Sequence, residues 1–167
     1  MILRCTQKLL VELKTKPTVG GSSEDPFWCW HGNVFNIDRR KCVLLTNDLT
    51  RYAILIPALK KRDFESFGLV FGQSLFKNLL HEGIPQSQIE TVLESLQIIQ
   101  YEKTNNRSVI GTMNEQRHQL EFYVEAEGDL ADTDVYKVNS KLNRVILSAT
   151  GYRYPIELFG ETLSNIK

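Results

Sequence analysis

The sequence predicts an α+β fold in which an antiparallel sheet is covered by several amphipathic helices. Between Phe27 and Pro57 the apolar residues recur every second position in three short runs, as in half-buried strands. On both sides of that region the apolar spacing changes to three and four, the period of a helix with one buried face. A chain of 167 residues, 42% of them hydrophobic, fits one domain over 1–167 and buries roughly two-thirds of the surface its unfolded form exposes.

Each element can be justified in turn. "MILRCT" reads as a short strand, and Thr6 stands where a helix N-cap belongs, ahead of Leu9, Leu10 and Leu13 at helical spacing. Residues 15–26 read as a loop, because Pro17, Gly20, Gly21 and two serines break any period. The runs "FWCWHGNVFNID", "CVLLTN" and "RYAILIP", separated by "RRK" and "DLT", predict a three-strand meander over 27–57, with a bulge at Gly32-Asn33. Phe64, Phe67, Phe71, Leu75 and Leu79 then predict one long helix ending near Gly83, where Gly68 and Gly72 permit close packing. Pro85 opens a further helix, and "LQIIQYE", near 97–102, reads as a fourth main strand, added with the N-terminal one to the meander.

The stretch "TNNRSVIGTMNE" reads as a capped helix start, with Asn106 or Ser108 accepting from the next turn. Its apolar stripe of Ile110, Met113, Leu120 and Val124 passes through Arg117, which therefore needs a partner. Residues 131–147 look helical, and a turn-rich loop leads to a short closing helix.

Charge is balanced overall and segregated locally. Twenty Lys and Arg face twenty Asp and Glu, but the local nets are +6 over residues 1–62, −9 over 63–136 and +3 over 137–167. Nothing global draws the chain to nucleic acid or to an anionic membrane, so an electrostatic partner must be met by a patch. In an up-down-up meander the first turn and the last exit share one end, so Arg39, Arg40 and Lys41 should meet Lys60, Lys61 and Arg62 there. A nucleic acid or an acidic protein is the partner that such an anion-binding patch selects. The structural alternatives are edge protection and neutralisation by the acidic middle segment.

Catalytic and metal patterns are absent. His31, His81 and His118 lack metal-ligand spacing, the acidic run 125–129 lacks the calcium-loop pattern, and no glycine loop for nucleotides occurs. Cys29 and His31 share a strand face but stand about 7 Å apart, beyond hydrogen-bond reach. No cofactor is called for. Three cysteines without C-x-x-C spacing, no signal-type apolar core and no apolar run of membrane length place the chain in the cytoplasm, with no membrane partner. Trp28, Trp30 and Phe35 leave a homo-oligomer open, as an apolar surface in need of cover.

With "RCTQKLL", "IDRRKCVLLTN", "NRSVIGTMNE" and the closing "GYRYPIELF", the chain resembles a family of small bacterial proteins known only as a domain of unknown function. The resemblance implies a bacterial, cytoplasmic, single-domain protein and no mechanism. If the shared polar positions mark a site, they are Thr6, Lys8, Arg40, Asn47, Arg107, Ser108 and Asn114 here. Two functions follow as expectations. The first is a non-enzymatic binding or regulatory module using the basic patch. The second is a small hydrolase or transferase around Arg107, Ser108 and Asn114, with Asp38 or His31 as base; whether the protein is an enzyme stays open.

Overall fold

In the computed structural model, which describes residues 1–18 and 25–166, strand β1 (Ile2–Cys5) turns directly into helix α1 (Gln7–Leu13). Thr6 makes the turn. Its backbone is extended, and its Oγ1 accepts from Leu9 N at 3.4 Å, satisfying a donor that a helix start leaves without a partner. Residues 19–24 of the expected loop lie outside the described residues.

The meander forms from β2 (Cys29–Ile37), β3 (Arg40–Asn47) and β4 (Ala53–Leu59), paired antiparallel in sequence order. The β2–β3 turn sits at Asp38-Arg39, both with positive φ (48° and 63°), the handedness that follows strand twist. Arg40 and Lys41, expected in the turn, therefore begin β3. Pairing from Trp30↔Asn47 to Ile37↔Arg40 is unbroken, so the bulge expected at Gly32-Asn33 is not there. It lies instead between β3 and β4, where the register shifts between Lys41 and Val43 and Ala58 has a φ of 54°. Gly32 serves close packing: a Cβ there would stand 2.8 Å from Leu9 Cδ2 and 3.0 Å from Leu45 Cδ2.

The sheet is mixed, which corrects the antiparallel expectation. β1 pairs parallel with β2 on one side and with β5 (Gln100–Lys103) on the other, giving the order β4-β3-β2-β1-β5. The meander rule covers strands joined by tight turns. β1 reaches β2 through a helix and a long loop, and a connection of that length can return the chain parallel.

Helices cover both faces. The long helix expected over residues 62–83 is two, α2 (Lys61–Glu65) and α3 (Phe67–His81), broken at Ser66, where φ and ψ are −119° and 37°. The break lets Phe64 and Phe67 stack at 6.2 Å, both buried. On one face α1, α3, α4 (Gln86–Ser95) and the closing helix α7 (Pro155–Ser164) enclose Leu3, Trp30, Leu45 and Ile54 with Phe71, Ile89 and Phe159. On the other, α5 (Arg107–Glu127) and α6 (Val135–Leu142) enclose Phe35, Cys42, Leu44 and Leu55 with Met113, Leu120 and Val138. Trp30 and Phe35 are thus covered within the chain, and Trp28 is half-buried.

β4 is an outer strand, and α6 seals it with side chains. Asn143 Oδ1 accepts from Ala53 N at 2.7 Å and its Nδ2 donates to Ala53 O at 2.7 Å; Asn139 Oδ1 accepts from Leu55 N at 2.9 Å. Each amide side chain carries a donor and an acceptor, as a neighbouring strand would. The two asparagines stand four apart on one helix face.

Candidate functional site

The pairing Lys41↔Leu59 places Arg39, Arg40 and Lys41 beside Lys60, Lys61 and Arg62 at one sheet end, with all six side chains exposed. Lys41 Nζ lies 2.6 Å from Glu12 Oε1, and Arg62 Nε lies 3.8 Å from Asp63 Oδ1. Among the described residues, Arg39, Arg40, Lys60 and Lys61 have no ion pair. The loop after α5 docks beside this end, because Asp38 Oδ2 accepts from Leu130 N at 2.8 Å. Asp129 in this loop accepts from the N–H groups of Ala131 and Asp132, and Glu127 at the end of α5 pairs with Lys141.

A groove of about 570 Å³ opens next to the cations, between α1 and α5. Val34, Phe35 and Asn36 of β2 form its floor, while Lys8, Val11 and Glu12 of α1 stand on one side and Arg117 of α5 on the other. Arg117, the charge on the apolar stripe, has two partners. Its Nε donates to Glu121 Oε1 at 2.9 Å, and its guanidinium lies 4.8 Å from the centre of the Phe35 ring.

The other expected site residues lie apart. Asn47 is at the opposite end of β3 from Arg40, about 23 Å away along an extended strand. It is buried and holds the β3–β4 turn, accepting from Thr50 N at 2.9 Å and donating to Phe27 O at 2.8 Å. Asn106 caps α5 by accepting from Ser108 N and Val109 N, as the sequence predicts. Arg107 and Asn114 are exposed on that helix, whereas Ser108 Oγ accepts from Arg51 Nη2 at 3.3 Å. Arg40, Asn47, Arg107 and Ser108 therefore do not line one cleft. Thr6 donates through its hydroxyl to Asn33 Oδ1 at 3.0 Å, beside the groove that Lys8 lines.

A second polar cluster escaped sequence reasoning. Strand register aligns Glu102, Arg4, His31 and Thr46 in one row across β5, β1, β2 and β3. Asp48, just past β3, joins them: Arg4 Nη1 lies 2.6 Å from Asp48 Oδ2, and His31 Nδ1 lies 2.6 Å from Asp48 Oδ1. Arg4 Nε reaches Glu102 Oε2 at 3.2 Å. Burial opposes the Arg4 charge, but Cys29, Asp48 and Glu102 outweigh it and raise the guanidinium pKa. Burial lowers that of Arg51, with Asp48 opposing the shift. Thr46 donates to Gln116 Oε1 at 2.7 Å, and Gln116 Nε2 donates to Arg51 O at 2.8 Å, tying the row to α5. His31 Nε2 and two of the three Arg51 guanidinium nitrogens are buried without a partner among the described residues. Ser108, Thr112 and Gln116 at four-residue spacing are the one local signal that α5 carries a polar stripe towards this row.

These features define an α+β domain with a buried row of paired charges, Arg4, His31, Asp48 and Glu102, and a cluster of exposed cations at one end of its sheet. The chain belongs to the family described as Domain of unknown function (DUF6933), whose model matches residues 2–158. No curated protein and no solved structure matches it. Among the described residues, no helix is long and apolar enough to cross a membrane.

Proposed function

We propose that this protein is a non-enzymatic binding module that takes an acidic protein segment at the cationic end of its sheet. The observation that carries the reading is the Lys41↔Leu59 pairing, which sets two cationic tripeptides side by side while four of their charges have no carboxylate partner among the described residues. Exposed cations at that spacing attract an extended anionic chain and release its counterions on binding, so affinity falls with salt. The hydrolase or transferase alternative has less support, because Arg107 and Asn114 face solvent, Ser108 turns to Arg51, and His31 is bonded to Asp48.

The test is titration with poly-L-glutamate and with single-stranded RNA at several salt concentrations. Poly-L-glutamate should bind, weaken steeply with salt, and lose binding when Arg39, Arg40, Lys60 and Lys61 are changed together to Ala. Salt-independent binding, or none, overturns the reading. Binding of RNA alone would transfer the site to nucleic acid.

A further inference from the structure

We propose that the edge of β2 over residues 33–37 is a docking strip on which an extended acidic peptide pairs as an added strand. This rests on the acidic-partner reading above and specifies how that partner is held.

The argument begins with strand lengths. β1 pairs with β2 only from Cys29 to Gly32, and its last residue, Cys5, stands opposite Gly32. Thr6 N then donates to Gly32 O at 2.9 Å, after which the chain leaves the sheet as α1. β2 continues for five residues, paired with β3 on its other side as far as Ile37. In a strand, alternate residues present their N–H and C=O to opposite edges. Gly32 O points to the β1 side, whereas Cys29 O accepts from Asp48 N on the β3 side. Val34 and Asn36 are in phase with Gly32, so their N–H and C=O face the side that β1 has vacated. Among the described residues, no group bonds to them there.

The groove of about 570 Å³ lies along this strip, lined by Val34, Phe35 and Asn36. α1 walls it on the face of the sheet that holds Trp30 and Val34, and α5 on the face that holds Phe35. Five residues of extended chain span about 17 Å, the length of the open strip. Pairing with Val34 and Asn36 provides up to four main-chain hydrogen bonds, the affinity source in β-strand addition.

Charge selects the occupant. Lys8, Lys41 and Arg117 line the groove against one carboxylate, Glu12, and Lys8 has no ion pair among the described residues. Arg39 and Arg40 lie where β2 turns into β3, continuing the positive path. Carboxylates on the peptide face that meets α1 would reach Lys8 and Lys41. Apolar residues alternating with them would lie towards Phe35 and the flat face of Arg117.

The experiment uses the full chain and a synthetic peptide of alternating Glu and Val, with a second peptide of the same sequence N-methylated at alternate residues. N-methylation removes main-chain donors and leaves every charge in place. The unmodified peptide should bind, protect the Val34 and Asn36 amides from exchange, and outbind its N-methylated counterpart at least about tenfold. Asn36→Pro, which deletes one outward N–H and no β3 bond, should weaken binding of the unmodified peptide similarly; Lys8→Ala should weaken both peptides. Equal binding of the two peptides, with exchange at Val34 and Asn36 unchanged, overturns strand addition. If that binding still falls with salt and with the four-residue alanine variant, the acidic-partner reading survives alone. If neither peptide binds, both proposals fail.

Discussion

Along the outer edge of β4, Asn143 and Asn139 stand in for a missing strand, meeting the N–H groups of Ala53 and Leu55 and the C=O of Ala53 at 2.7–2.9 Å. At the other outer strand, β5, Thr18 N donates to Tyr101 O at 2.8 Å. Along β2 beyond Gly32, no described residue plays that part. The difference is physical as well as topological. The β4 edge is buried under α6, where an unmet amide would lose its hydration without replacement, so side-chain partners are required. The β2 strip opens on a groove, where water or a partner can meet the same groups. Charge follows the same division. In the half of β2 flanked by β1, His31 belongs to a buried, paired row; in the open half, the nearby cations face solvent.

Breaking the sealed regions should be costly. Asp48→Ala removes the carboxylate shared by Arg4 and His31, and loss of one partner from a buried pair costs about 3–5 kcal/mol. Denaturant unfolding should show that loss, and a change below about 1 kcal/mol would mean that the row is wetter than its burial indicates. Asn143→Leu keeps the side chain's approximate size and strands Ala53 N and O inside the protein. It should cost about 2–3 kcal/mol by the same measurement. Asn36→Pro alters only the open strip and should shift stability by less than about 0.5 kcal/mol, since proline is tolerated where a strand's N–H faces solvent. A loss as large as that of Asn143→Leu would make the strip a sealed edge after all.

Local chemistry was legible in the sequence, and pairing across distance was not. Thr6 and Asn106 could be read as caps because each precedes an apolar run at helical spacing, and both act so. The meander was legible from its period-two runs and tight turns, which also brought the two cationic tripeptides together. Nothing local told β1 and β5 to join in parallel. Without that pairing, Arg4, His31 and Glu102 could not be seen as one row, nor Asp48 as its hub. The open strip was hidden for the same reason, because it exists only as the difference between a four-residue β1 and a nine-residue β2. Asn139 and Asn143 did leave a trace, two amides four apart on a short helix, but their use as strand substitutes depends on where β4 ends the sheet.

Residue-resolved amide hydrogen exchange of the unliganded protein tests the contrast between the edges most directly. Ala53 and Leu55, bonded to α6, should exchange near the rate set by global unfolding, and Val34 and Asn36 should exchange far faster, although they lie in a central strand. Protection of Val34 and Asn36 equal to that of Ala53 and Leu55 would show that their amides already have partners, and would contradict the account.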